Sequence, residues 1–304
     1  MENHLTILLY HGVTRLRSAG IENYSGKHIS ENDFRQQMNL VSIKYHPLSI
    51  DEVVEIHEAG ESYPANAVVV SFDDGFENNH DIAAPILSDL EVPAVFYLST
   101  GIVGTGRMFW VDQIEDVLNR SEKEEIEIAL GAEPISFSLG SQRLRIQALE
   151  TIKDYCKRSE AAEKDRVVLE LVEAAGVKPD VNASGNYKAM TWEKAKRLNG
   201  DPLFTVGGHT MNHNILTRLE PFEMEREITE SLKAIRRETG VKPRHFSYPE
   251  GQADHFDEGV IECLKNSEVV CSPSAIDGVN RREFDLFNLR RIMPGFLGRE
   301  FPLS

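Results

Sequence analysis

Short apolar runs alternate with helical patterns along most of this chain, and the alternation constrains the fold more than any other feature. The runs are rich in branched and aromatic residues, as buried strands are; they are Leu5–Tyr10, Ala67–Phe72, Val92–Leu98, Leu203–Val206 and His245–Tyr248. Helical patterns separate them at Glu31–Lys44, Asp51–Ala59, Asn79–Leu90 and Pro221–Thr239. Such alternation predicts a parallel sheet or barrel covered by helices, with functional side chains where strands end.

One stretch, from about residue 104 to residue 190, breaks this alternation. Strand signals are sparse there, and charged helical patterns dominate, as in Gln142–Lys157 and Glu160–Ala175. We interpret the stretch as a helical insertion into an α/β framework, because the patterns on both sides of it read as parts of one fold. The prediction is therefore a single domain over residues 1–304 that contains the insertion.

Composition narrows the functional classes. The chain has 33 Lys or Arg residues against 49 Asp or Glu residues, a formal net charge of −16, which disfavours binding to nucleic acid or an anionic membrane through the global field. No stretch approaches the roughly 18 apolar residues of a membrane span, and the first apolar run is too short for a signal peptide. The three cysteines stand far apart with no C-x-x-C pair. We expect a cytoplasmic protein.

The first chemical motif, Ser71-Phe72-Asp73-Asp74-Gly75, directly follows the strand residues Ala67–Val70. Two adjacent carboxylates at a strand end are costly if they are buried without partners, and a cation would offset that cost. Asp and Gly are also common turn residues, so the motif alone is equally consistent with an ordinary turn.

The second motif, Gly207-Gly208-His209-Thr210-Met211-Asn212-His213, follows another predicted strand. On one helical turn, imidazoles four residues apart project from the same face and can chelate one metal ion. H-x-x-x-H alone also describes two surface histidines. The two glycines before it allow a close backbone approach, which favours a site.

These two motifs and Phe246-Ser247-Tyr248-Pro249-Glu250-Gly251, in this order, resemble the polysaccharide deacetylases of the NodB-homology type, carbohydrate esterase family 4. The resemblance covers most of the chain and is weak over the insertion. Further matches are Tyr10-His11-Gly12-Val13, Phe109-Trp110 with Asp112, Thr191-Trp192, His245 and Leu289-Arg290-Arg291-Ile292.

The resemblance implies a distorted (β/α) barrel of about seven strands around a divalent metal ion. Carried over by motif, the metal ligands are Asp74, His209 and His213, a set that suits Zn²⁺ and also accepts iron, cobalt or nickel. Asp73 is then the general base toward the attacking water. A backbone N–H at the Pro249–Glu250 turn, beside Tyr248, is the expected oxyanion donor.

The chain departs from the common family pattern at three places. It has Ser247 where many members have Arg, Glu250 where many have an aromatic ring, and no late Leu-x-His to supply the acid. We expect His11 to act as the general acid and Arg291 to orient Asp73. A hydrogen-bonded core histidine and a surface ion pair are the respective structural alternatives.

Trp110 is the candidate wall of a sugar subsite, with a core position as its alternative. The predicted function is metal-dependent removal of an N-acetyl group from an amino sugar in a polysaccharide, oligosaccharide or carrier-linked precursor. Three alternatives remain open at this level: hydrolysis of another linear or cyclic amide, carbohydrate binding without turnover, and a two-His-one-carboxylate iron oxygenase. The adjacent Asp73 disfavours the last two, since neither needs a general base.

Overall fold

The computed structural model describes residues 4–303. It contains the strands β1 (Leu5–Tyr10), β2 (Gly12–Thr14), β3 (His28–Ser30), β4 (His46–Pro47), β5 (Ala67–Phe72), β6 (Ala94–Leu98), β7 (Glu125–Leu130), β8 (Glu133–Ser138) and β9 (Phe204–Gly208). The helices are α1 (Glu31–Lys44), α2 (Ile50–Ala59), α3 (Ala84–Asp89), α4 (Trp110–Arg120), α5 (Gln142–Arg158), α6 (Ala161–Ala175), α7 (Trp192–Asn199), α8 (Pro221–Thr239) and α9 (Glu258–Asn266). None of these helices is long and apolar enough to cross a bilayer.

The predicted α/β class is confirmed: a parallel sheet runs in the order β1-β5-β6-β9, with β4 added beside β5. Successive side chains of β5 pack in two different apolar clusters. Val68 and Val70 belong to one cluster, and Val69 belongs to the other. Both faces of the sheet are therefore covered, which explains why its strands read as continuous apolar runs.

Beyond the sheet, the parallel arrangement continues as single bridges rather than full strands. They join Leu8 to Ile292, Gly208 to Phe246, and His245 to Cys271. The predicted strand His245–Tyr248 is thus reduced to two bridging residues. In place of the expected seven strands, the described sheet has five, and the bridges continue it. Pro243 and Pro249 flank the short segment, and proline lacks the N–H that would extend a ladder. This arrangement is consistent with a distorted (β/α) barrel.

The insertion is not purely helical. The predicted helices α5 and α6 are present, but an antiparallel hairpin, β7–β8, precedes them. Its first strand alternates exposed glutamates with buried Ile126 and Ile128, and Gly131 turns the chain with φ 77°. The alternating charges resemble a solvated helix face, so the sequence did not predict β7 as a strand. The insertion has its own apolar cluster, which includes Trp110, Phe137 and Ile152. The single-domain assignment stays a prediction.

Candidate active site

The predicted metal-binding and catalytic residues all line one cavity of about 390 Å³. His11 follows β1, Asp73 and Asp74 follow β5, and the histidine motif follows β9. Because these strands are parallel neighbours, their carboxyl ends meet at one edge of the sheet. We call the side chains gathered there the strand-end wall; they are His11, Asp73, Asp74, His209 and His213. Glu250 and Arg291 line the same cavity.

Asp74, His209 and His213 form a buried group that could hold a metal ion, with ligand atoms within 4.8 Å of one another. Nε2 of His209 and of His213 lie 3.5 Å and 3.3 Å from Oδ1 of Asp74. That oxygen is buried and has no hydrogen-bond partner among the described residues. Burial raises the pKa of Asp74 and lowers the pKa of both imidazoles. One carboxylate and two neutral imidazoles with an orphaned oxygen fit a divalent cation.

The histidine motif is not helical, so the expectation of ligands on one helical turn is wrong. The segment is an irregular loop in which Thr210 and His213 have φ of 60° and 55°. The His213 N–H donates to Oγ1 of Thr210 at 2.9 Å, which supports this turn. The expected close approach at the glycines is present, because a Cβ on Gly207 would lie 2.7 Å from the carbonyl oxygen of His245.

Ser247 orients the first of these imidazoles. Nδ1 of His209 lies 2.8 Å from the carbonyl oxygen of Ser247, which can only accept, so Nδ1 carries the proton and Nε2 presents its lone pair toward Asp74. The Ser247 hydroxyl lies 2.7 Å from the same Nδ1 and donates to Oδ1 of Asp73 at 3.1 Å. In the sequence Ser247 is only a departure from the family motif, and nothing there predicts this role.

Asp73 is held by Arg291 through two parallel hydrogen bonds, 2.8 Å from Nη1 to Oδ1 and 2.7 Å from Nη2 to Oδ2. Arg291 is fully buried, and its Nε donates to the carbonyl oxygen of Ser274. Burial works to raise the pKa of Asp73, but the guanidinium outweighs it and holds that pKa well below its usual range. The carboxylate beside the metal group is therefore anionic, and the surface-pair alternative for Arg291 does not describe this contact.

His11 directly follows β1 and lines the cavity together with Asp73 and His209. Burial lowers the pKa of its imidazole to about 3, which makes it neutral at pH 7. Its carbonyl oxygen accepts a 2.7 Å hydrogen bond from the Asn79 amide. The next residue must be glycine, because a Cβ on Gly12 would lie 2.0 Å from Nδ1 of His28.

Three predicted substrate contacts do not line this cavity. Tyr248 is fully buried, donates from its hydroxyl to the Phe287 carbonyl oxygen, and stacks on Phe256 with ring centroids 4.1 Å apart. Pro249 is buried beside it. Trp110 belongs to the insertion's apolar cluster and lines a separate cavity of about 20 Å³ behind His213. The structure thus places the tryptophan in its alternative, the core.

A further part of the cavity lining, which the sequence did not predict, comes from the insertion. We call it the insertion wall; it consists of Val111, Asp112 and Glu115 on α4 with Leu149, Lys153 and Lys157 on α5. Asp112 forms a salt bridge with Lys27, and Lys157 forms one with Glu250 at 2.7 Å. Asp112 stands in a matched family motif and could have been singled out; the lysines carry no signal in the sequence.

A family model described as polysaccharide deacetylase matches residues 154–269. Over 52 residues the chain is 40% identical to the poly-beta-1,6-N-acetyl-D-glucosamine N-deacetylase of Escherichia coli K12, and the match spans 17% of this chain and only 8% of that protein. The expected resemblance to the polysaccharide deacetylases is thus found over residues 154–269 of the chain.

Solved structures share the fold at low sequence identity. The deacetylase PplD of Streptococcus pyogenes, in complex with acetate, has a TM-score of 0.63 at 14% identity and covers 99% of this chain and 96% of its own. IcaB from Ammonifex degensii has a TM-score of 0.60 at 17% identity, covering 96% and 92%. The de-N-acetylase from Aggregatibacter actinomycetemcomitans has a TM-score of 0.58 at 17% identity, covering 96% and 95%.

Proposed function

We propose that this protein is a metal-dependent deacetylase that removes the N-acetyl group from an amino sugar in a polysaccharide, oligosaccharide or carrier-linked precursor. The observation that carries the proposal is the convergence of Asp74, His209 and His213 in one cavity with the Asp73–Arg291 pair beside them. The N-acetylated polymer named for the matched Escherichia coli enzyme supports this substrate class.

Asp74, His209 and His213 would hold the cation. When bound, a divalent cation such as Zn²⁺ supplies Lewis-acid activation of an acetamide carbonyl and of water. Asp73 accepts the proton of the attacking water, and Arg291 keeps its two oxygens in place. The Ser247 hydroxyl bonds the same carboxylate, so its orientation is fixed from two sides.

His11 is the proposed donor of the proton that the departing amine requires. It is neutral before substrate binds, because burial lowers its pKa. Negative charge that develops on the acetamide oxygen would raise that pKa, so that the imidazole takes up a proton from solvent and gives it to the nitrogen of the departing amine. Asp73 then releases to solvent the proton that it took from the attacking water. The backbone N–H of Glu250 is the proposed hydrogen-bond donor to the acetamide oxygen.

The test combines elemental analysis with an acetate-release screen over N-acetylated oligosaccharides and sugar nucleotides. We expect about one divalent ion per chain and acetate release that a chelator abolishes and added metal restores. His213→Ala should deplete the metal. Full metal occupancy in that variant, or a purified metal-loaded enzyme that releases no acetate from any substrate, would contradict the proposal.

A second measurement tests the acid. His11→Ala should lose activity mainly in kcat, with the high-pH limb of the rate profile altered and the metal content unchanged. A pH profile identical to that of the wild type would remove His11 from this role.

A further inference from the structure

A salt bridge joins the insertion wall to a residue in the turn that ends the third motif. Oε2 of Glu250, in that turn, lies 2.7 Å from Nζ of Lys157, in the last turn of α5. Both residues line the cavity that contains the Asp74 group. Their side chains are 18% and 30% exposed, so the pair is partly shielded from water and still borders the cavity. Shielding strengthens its electrostatic effect on a bound molecule.

The fold holds Glu250 in a conformation that its residue type disfavours. Its φ is 60°, in the left-handed region, and Gly251 follows with φ 54°. A Cβ on Gly251 would lie 2.6 Å from the backbone nitrogen of Ala275, so the turn is packed against its neighbour. Backbone strain of this kind is retained mainly where the side chain is needed in one position.

Glu250 is an anion at this position. Burial works to raise its pKa, but the ammonium group of Lys157 outweighs burial and lowers the pKa to about 2. The cavity therefore presents a fixed carboxylate in the lining that it shares with His213.

The other cations around the cavity are neutralised as well. Among the described residues that line it, every lysine and arginine has a carboxylate partner; the pairs are Lys27–Asp112, Lys153–Glu150, Lys157–Glu250, Arg291–Asp73 and Arg299–Asp277. A phosphate or carboxylate on a substrate would have to displace one of these partners. Sugar hydroxyl groups, in contrast, can donate to the carboxylates without breaking a pair.

We propose that the Lys157–Glu250 pair sets the charge selectivity of this cavity: its carboxylate accepts hydrogen bonds from hydroxyl groups of an uncharged sugar and repels sugars that carry an anionic group. The inference rests on the proposed deacetylase function and narrows it to neutral N-acetylated sugars. Lys157 contributes by holding the carboxylate in place and by moderating its charge.

Two probes of similar size separate charge from shape: the methyl glycoside of N-acetylglucosamine, which is neutral, and N-acetylglucosamine 1-phosphate. The quantity measured is the ratio of kcat/KM for acetate release from the phosphate to that from the glycoside. Glu250→Gln should raise this ratio about tenfold, because it leaves Lys157 unpaired and removes a like charge. Lys157→Met should lower it by a similar factor, because the carboxylate then stands alone.

Opposite shifts are the decisive readout, since loss of packing would move both variants in the same direction. Glu163→Gln, which alters an ion pair with Arg166 on α6 away from the cavity, serves as the control and should leave the ratio unchanged. A ratio within about twofold of the wild type in Glu250→Gln, or parallel shifts in both variants, would overturn the inference.

The two proposals fail in different ways. If the wild-type enzyme releases no acetate from either probe, the result counts against the deacetylase function. The charge selectivity is then tested by calorimetry on the same proteins, as the ratio of the dissociation constants of the two probes. The same opposite shifts in that ratio would support the pair's role. An unchanged ratio, or no binding of either probe, would overturn it.

Discussion

The two walls of the cavity are built differently. The strand-end wall consists of side chains that follow parallel strands. Hydrogen bonds from Ser247 and Arg291 orient Asp73, and the Asn79 side chain bonds the backbone carbonyl oxygen of His11. The insertion wall consists of helix surfaces with a separate apolar cluster, and its Lys157 pairs with Glu250, which lines the same cavity. We propose a division of roles in which the strand ends carry out the chemistry and Glu250, held by Lys157 of the insertion, selects the substrate.

The largest effect should come from the strand-end wall. Asp73→Asn keeps the size of the side chain and removes the base, so we expect kcat to fall by about a thousandfold while the metal content is retained. Kinetics and elemental analysis on the same preparation check this. Loss of the metal would mean that Asp73, rather than Asp74, is the ligand and that the pair is assigned in reverse.

The next effect sharpens the contrast, because it concerns stability rather than chemistry. Trp110→Ala removes a large side chain from the insertion's apolar cluster and should lower the free energy of unfolding by about 3–5 kcal/mol. Phe137→Ala, in the same cluster, is the matched control. A tenfold rise in KM with normal stability would instead make Trp110 part of a sugar subsite.

A pH-dependent effect is expected on the insertion wall. Burial, together with the nearby Asp112 carboxylate, raises the pKa of Glu115 to about 7, above the usual carboxyl range. The protonated form is therefore favoured by folding, so wild-type stability declines as the pH rises through the interval between about 4.5 and 7.

Glu115→Gln mimics the protonated form and should remove this decline, a relative gain on the order of 3 kcal/mol above pH 7. Denaturant unfolding of both proteins at several pH values measures it. Glu173→Gln, an exposed change on α6, is the control. A stability difference between wild type and Glu115→Gln that does not vary with pH would show that the carboxyl group titrates normally.

The smallest effect tests the support of the strand-end wall. Ser247→Ala removes the hydroxyl contacts to Asp73 and His209 but keeps the carbonyl contact to Nδ1 of His209. We expect about a tenfold loss in kcat, the equivalent of one hydrogen bond, with metal affinity nearly retained. A large loss of metal affinity would instead show that Ser247 mainly orients the metal ligand His209 and not the base Asp73.

How much the sequence reveals follows the same division. The strand-end residues could be predicted because each directly follows an apolar run, and a parallel sheet brings such positions together. Arg291 could be proposed only through resemblance, since its contact with Asp73 spans 218 residues of chain. The lysines of the insertion wall could not be predicted, because a surface helix and a cavity-facing helix carry the same charged pattern. The hairpin β7–β8 was missed for a similar reason.

The contact between Arg291 and Asp73 also links activity to the completion of folding. One partner enters the core in the first quarter of the chain and the other near its end. A chain interrupted before residue 291 would leave a buried carboxylate uncompensated, so the proposed catalytic centre forms only after the segment around Arg291 has docked along β1. On this proposal, activity requires that late segment as much as the strand ends that carry the site residues.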